Sequence, residues 1–172
     1  ISNSSDAIDK LNFQAQTNAG LLENDGEFKI RIRPDGIARI LEISDNGIGM
    51  TYDEVMENIG TIAKSGTADF LAMIKQAQNV DVVTPELIGQ FGVGFYSAFM
   101  VADKITLITR AAGAPHDQGV AWESSGDGAF TIQTQEKERR GTTITLHLKK
   151  NEKDETDYTD QWQIRSIVKQ HS

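Results

Sequence analysis

The chain has no cysteine, so neither a disulfide framework nor a thiolate zinc site can form, which fits a reducing compartment. Positive charge is scarce as well: 17 Lys and Arg face 25 Asp and Glu, for a formal charge of -8 and a pI near 4.8. That is the wrong sign for a surface that neutralises nucleic-acid phosphates, so no nucleic-acid partner is expected. Histidine occurs only at His116, His147 and His171, too far apart for metal-ligand spacing. No apolar run approaches the roughly 20 residues that span a bilayer, and no charged-then-apolar leader opens the chain. A soluble protein with no membrane partner is expected. Two familiar phosphate signatures are also missing. The run from Gly60 to Thr67 has the letters of a P-loop in the wrong order, because Lys64 precedes Ser65 and Gly66. Gly92-Val93-Gly94 lacks the third glycine of the dinucleotide fingerprint.

What is present is enough apolar material, 38% of 172 residues, to bury the core of one domain over residues 1–172. Its most informative stretch is Ser44-Asp45-Asn46-Gly47-Ile48-Gly49-Met50. An alternating apolar run, Ile40 to Ile43, precedes it, and a helical pattern, Thr51 to Met56, follows. A carboxylate followed by two glycines, one residue apart, offers a fixed acceptor beside bare backbone, which suits a flat ligand with an amino group. Asp-Asn-Gly is equally a common turn string, and alone it would be read as a turn.

The flanking segments supply further parts. Asn3, Asp6, Ala7 and Lys10 fall at spacings of three and four along one stripe of an opening helix. That stripe either faces solvent or lets Asn3 offer its amide oxygen to a hard cation such as Mg²⁺, which needs few protein ligands when phosphates supply the rest. Phe28, Ile30 and Ile32 alternate with charged residues, and Pro34-Asp35-Gly36 turns the chain back from Ile37 to Ser44, a hairpin that delivers Asp45 to a strand end. Lys64 can serve as a point charge for a phosphate. Residues of about 65–85 hold few apolar anchors and are a candidate mobile cover. Gly92 and Gly94 precede an apolar helical pattern, Phe95 to Ala102, and would expose backbone N–H groups to an anion or simply make a turn. Four strand patterns follow, at Lys104 to Arg110, Val120 to Ser125, Phe130 to Gln135 and Thr142 to Leu148. A charged loop from Asn151 to Asp160 and a final helix close the chain, with Trp162, Ile164, Ile167 and Val168 on the stripe expected to meet the sheet.

Together these parts make an ATP site without a P-loop. The runs Ile1 to Ala7, Asp45 to Met50, Asn58 to Thr67 and Gly89 to Ser97, with Trp122-Glu123-Ser124 and Arg140-Gly141-Thr142, resemble the nucleotide-binding domain of the heat-shock protein 90 family over essentially the whole chain. The short loops suggest its bacterial form. The resemblance implies an α/β (α+β) two-layer sandwich, a mixed, mostly antiparallel sheet covered on one face by helices. This GHKL fold is shared with gyrase-type topoisomerases, histidine kinases and MutL-type repair proteins. It implies ATP or ADP with Mg²⁺ as ligand, Asn3 on the metal, Asp45 on the adenine amino group, and Gly49, Met50 and Asn58 along base and sugar. It also implies Asp6, Ala7 and Lys10 on the pocket wall, Thr142 near the adenine, and Lys64 with the backbone of Gly92, Val93, Gly94 and Phe95 toward the phosphates. Residues 65–85 would be the lid.

The same resemblance implies a cytoplasmic, homodimeric ATPase chaperone of the stress response, with client proteins and co-chaperones as partners. A histidine kinase or topoisomerase module is the alternative. The family's water-positioning glutamate lies four residues before the metal-binding asparagine, ahead of Ile1, and Ile1 itself stands inside a helical pattern with no cap before it. These residues are therefore expected to bind nucleotide but to hydrolyse it poorly.

Overall fold

The computed structural model describes residues 1–60, 94–150 and 156–171. Lys64, Gly92 and Val93, and the expected lid at 65–85, lie outside the described residues.

The first helix, α1, runs Ser2–Ala15 and is followed by a single 3₁₀ turn, Ala19–Leu22. Strands β1 (Ile30–Asp35) and β2 (Ile40–Asp45) form the expected hairpin, with Ile32 opposite Ile43. Its turn is longer than the sequence pattern implies. The Asp35 carboxylate accepts from the N–H groups of Ile37 and Ala38, at 2.9 Å each, which takes these residues out of the ladder and leaves Ile37 fully exposed. Pro34, which cannot donate to a ladder, is tolerated because β1 is an edge strand.

The helix α2 is short, Tyr52–Val55, and continues as a π-helical turn, Met56–Gly60. Thr51 starts it with a capping box: its hydroxyl accepts from the Glu54 N–H, and the Glu54 carboxylate accepts from the Thr51 N–H. Phe95 to Ala102 is not the apolar α-helix that its composition suggests. Tyr96–Met100 is a 3₁₀ helix, and Ala102 already begins a strand. The three-residue period stacks Tyr96 above Phe99, and both rings enter the core.

The remaining strands are β3 (Ala102–Arg110), β4 (Gly119–Ser124), β5 (Phe130–Gln135) and β6 (Gly141–Leu148). The six-stranded sheet has the order β1-β2-β6-β3-β4-β5. Every ladder among the described residues is antiparallel, so no parallel pair of the expected mixed sheet occurs among them. The last helix, α3 (Gln161–His171), is capped by Asp160, whose carboxylate accepts from the Trp162 N–H at 2.7 Å.

Strand alternation assigns the two faces of the sheet. Leu41, Ile43, Ile144, Leu146, Ile105, Leu107, Val120 and Trp122 share the helix-covered face and form the core with Val55, Ile59, Tyr96, Phe99 and Ile164. Trp122 is its centre, edge-on to Phe95 at 5.4 Å and stacked with Phe130 at 6.1 Å. Ile164 and Val168 dock α3 as expected, but Trp162 does not belong to that stripe: it is 78% exposed, with the Arg165 guanidinium 5.7 Å from its ring. Trp162 stands two residues before Ile164, about 200° around an α-helix, and so faces away from the side that Ile164 buries.

The two tryptophans should therefore behave differently. Trp122→Ala is expected to lower unfolding stability in urea by about 3–5 kcal/mol, the usual cost of deleting a buried large aromatic. Trp162→Ala is expected to change it by less than about 0.5–1 kcal/mol, as for an exposed side chain with one cation–π contact.

Candidate functional site

The loop from Asp45 to Met50 is pinned from three sides. The Ile48 N–H donates to the Ala7 carbonyl of α1 at 3.0 Å, and the Ala112 N–H donates to the Ile48 carbonyl at 2.8 Å. The Met50 N–H donates to the Thr109 hydroxyl at 3.0 Å. Asn46 holds the loop's start: its amide donates to the Glu27 carbonyl and the Asp25 carboxylate, and its side-chain oxygen accepts from the Lys29 N–H. Glycine is required by the closeness of these contacts. A Cβ on Gly47 would lie 2.7 Å from the Ala7 backbone, and one on Gly49, at φ 66°, would lie 2.0 Å from the Arg110 carbonyl oxygen.

Asp45 ends β2 and pairs with Thr142 on β6, which pairs in turn with Thr109 on β3. All three side chains point to the helix-covered face. The Thr109 and Thr142 hydroxyls are 2.9 Å apart, and Thr109 is also 3.2 Å from the Gly141 carbonyl. The Asp45 carboxylate is half-buried, and burial raises its pKa above the ordinary 3.8. Hydrogen bonds from the Gly47 N–H, the Ser4 hydroxyl and the Thr142 N–H, and the charge of Lys137, all work against that rise. The result is a fixed acceptor at the end of β2, on the floor that the Asp45–Met50 loop makes beside α1.

Of the residues expected in the site, Asp45, Ala7, Gly49, Met50 and Thr142 converge on this floor. Asn3, Asp6 and Lys10 are exposed on α1, with Asn3 one turn before Ala7. Asn58 sits in the π-helical turn after α2, and Gly94 and Phe95 precede the 3₁₀ helix. Two residues were missed by sequence reasoning. Ser4, only 7% exposed, bonds to Asp45, and its place one turn before Ala7 was a usable signal. Thr109 is fully buried, and nothing in the alternation of β3 marks its hydroxyl as shared between Met50 and Thr142.

The donor set also bears on a metal. No group of three or more His, Cys, Asp or Glu that could hold one occurs among the described residues. A lone, exposed amide at Asn3 is chemically compatible with Mg²⁺ held mainly by water and phosphate oxygens, and incompatible with a dedicated protein cage. No helix among the described residues is long and apolar enough to cross a membrane.

Behind the floor, Arg110 is 1% exposed and makes a paired contact with Glu23, its two terminal nitrogens donating to the two carboxylate oxygens at 3.1 and 2.6 Å. Burial pushes the Glu23 carboxyl up, but the Arg110 hydrogen bond, the Gly113 N–H and the charges of Arg110 and Arg140 outweigh it and leave the pKa below the ordinary 4.5.

A fold of this kind, with a glycine-lined acceptor on a strand end under a helix, is that of a nucleotide-binding ATPase domain. Residues 3–156 match the histidine kinase-, DNA gyrase B- and HSP90-like ATPase family, and the chain belongs to that family. It is 58% identical to the chaperone protein HtpG of Geobacter metallireducens over 172 residues, which is 100% of this chain and 26% of that protein. It is 56% identical to the HtpG chaperones of Yersinia pestis and Geobacter sulfurreducens, again over its whole length and 27% and 26% of theirs. The chain thus spans about a quarter of the length of these relatives.

Two outcomes follow from this geometry. Gly49→Ala should cost at least about 2 kcal/mol in thermal or urea unfolding, since it combines a strained φ with a backbone collision. Glu23 has a depressed pKa in the folded chain, so its contribution is present above 4.5 and is lost as pH falls through the lower folded value. The stability gap between the parent and Glu23→Gln should accordingly be largest near neutrality and shrink below pH 4.5 when urea midpoints are compared.

Proposed function

We propose that this chain binds ATP and ADP with Mg²⁺ as the nucleotide-binding domain of a chaperone. The observation that carries the reading is the Asp45 carboxylate, held half-buried by Ser4, Gly47 and Thr142 at the start of a loop whose glycines let α1 and β3 close on it and fix it in place. An acceptor so fixed favours an amino-bearing purine edge, because no reorganisation is needed when the ligand arrives. Thr142 stands beside it, with Gly49, Met50 and Asn58 along the base and sugar. Asp6, Ala7 and Lys10 wall the pocket from α1. Asn3 would hold Mg²⁺, which when bound bridges phosphate oxygens and neutralises their charge. The resemblance assigns Lys64 and the backbone of Gly92, Val93, Gly94 and Phe95 to the phosphates, and residues 65–85 to a lid over them.

In the whole protein this domain would drive a homodimeric ATPase chaperone of the cytoplasm that acts on client proteins with co-chaperones under stress. The HtpG chaperones to which it is more than half identical support that reading over a histidine kinase or topoisomerase module. The net charge of -8 argues against a DNA clamp as well. The resemblance sets the water-positioning glutamate four residues before Asn3.

Calorimetric titration with ADP, with and without Mg²⁺, tests the reading. Saturable, Mg²⁺-strengthened binding that weakens by about 100-fold or more in Asp45→Asn is expected, because the carboxylate's charge-assisted bond is lost. Equal binding by the parent and Asp45→Asn would overturn the assignment of the base to this floor.

A further inference from the structure

The opposite face of the sheet carries a second cleft of about 960 Å³. Register separates it from the nucleotide floor. Ser44 pairs with Thr143, one residue from the Asp45–Thr142 pair, so their side chains leave the sheet on the other side. Ser44 and Thr143 line the cleft together with Arg31 of β1, which shares their face, and Asp45 lines it from the end of β2. The size is that of a small-molecule site.

Its charge is opposite to that of the protein as a whole. The chain carries -8, yet around this wall lysine and arginine outnumber aspartate and glutamate by six to four. The anions present are largely occupied. Glu23 spends both oxygens on Arg110 and accepts from the Gly113 N–H as well, and Asp25 takes a hydrogen bond from Asn46. The inner wall is rigid, because Arg110 and Arg140 are 1% and 3% exposed and donate to the backbone carbonyls of Ala114, Glu138, Leu22 and Asp25. Each still has an Nε–H with no partner among the described residues. At the mouth, Arg31, Lys137 and Arg139 form no ion pair within 4.0 Å among the described residues. The Lys137 ammonium donates to the Arg139 carbonyl, and the charge of Asp45 at the strand end acts on it as well.

We propose that this cleft binds a small, multiply charged phosphorylated anion, at a site separate from the nucleotide pocket and on the other face of the sheet. Guanidinium groups suit phosphate oxygens because their forked donors match the geometry of an oxyanion, and three cations without an ion pair at the mouth suit a charge of two or three. Burial and the charge of Arg110 together lower the Lys137 pKa, and an anion in the cleft would reverse that effect. The inference does not depend on what the nucleotide pocket holds.

The test uses inorganic pyrophosphate as probe, titrated calorimetrically into the chain and into the double variant Arg31→Ser with Arg139→Ser, each also titrated with Mg-ADP. Both substituted side chains are exposed, so folding should be retained, and circular dichroism checks this. Single-site binding by the parent, weakened by roughly tenfold or more in the variant through loss of two charge-assisted contacts, is expected. Mg-ADP affinity should be the same in both. Amide NMR shifts should move at Ser44 and Thr143 more than at Met50. No saturable pyrophosphate binding would overturn the proposal. Equal binding by parent and variant would overturn it too, since the probe would then occupy the phosphate positions of the nucleotide pocket. Failure of Mg-ADP to bind, with pyrophosphate binding as described, would count against the nucleotide reading alone.

Discussion

The site depends on how closely backbone approaches backbone around one loop. Gly47 lies against Ala7 of α1, Gly49 against the Arg110 carbonyl of β3, and a Cβ on Gly141 would lie 2.2 Å from the Asp45 carbonyl. These three contacts bring α1, β2, β3 and β6 together at one point with no side chain between them. Packing this tight has two effects. It makes the loop a rigid floor, and it leaves the polar groups nearby few ways of being satisfied except by one another. The hydrogen bonds from Ile48 to Ala7 and from Met50 to Thr109 are a direct consequence.

Rigidity at the floor explains the electrostatics of Asp45. A carboxylate among buried backbone is disfavoured as an anion, and burial does raise its pKa; the donors that face it, from Gly47, Ser4 and Thr142, keep that rise in check. It is a poised acceptor with its own neighbours fixed. Glu23 is the converse case on the far side of the sheet. There a full guanidinium partner outweighs burial, and the pair ties the segment after α1 to the end of β3. The two carboxylates thus respond in opposite senses to acid, although only one strand end separates their surroundings.

Much of this was legible in the residues. Asp45 at a strand end, glycines at 47 and 49, and the hairpin alternation of Ile30 and Ile32 are local patterns, and local patterns are decided by short-range sterics and hydrogen bonding. The errors came where a longer range decided. Phe95 to Ala102 is apolar enough for a helix, but β3 must begin at Ala102 to pair with β6, so the chain takes a tighter turn. Trp162 has the hydrophobicity of a core residue, yet docking buries the Ile164 side of α3 and leaves Trp162, two residues away, on the opposite side. Ser4 and Thr109 were missed because a hydroxyl shows its importance only through the atoms opposite it.

What the sequence determined by itself is the set of parts: the carboxylate, the glycines where no side chain is tolerated, the amide on the opening helix, and the alternation that makes strands. These follow from the chemistry of each residue and its near neighbours. Only the tertiary structure decided which hydroxyls meet, that Thr109 stands between Met50 and Thr142, and that Arg31, Lys137 and Arg139 line one cleft behind the floor. Those residues are far apart along the chain, and cross-strand register, a cooperative property of the whole sheet, is what brings them together.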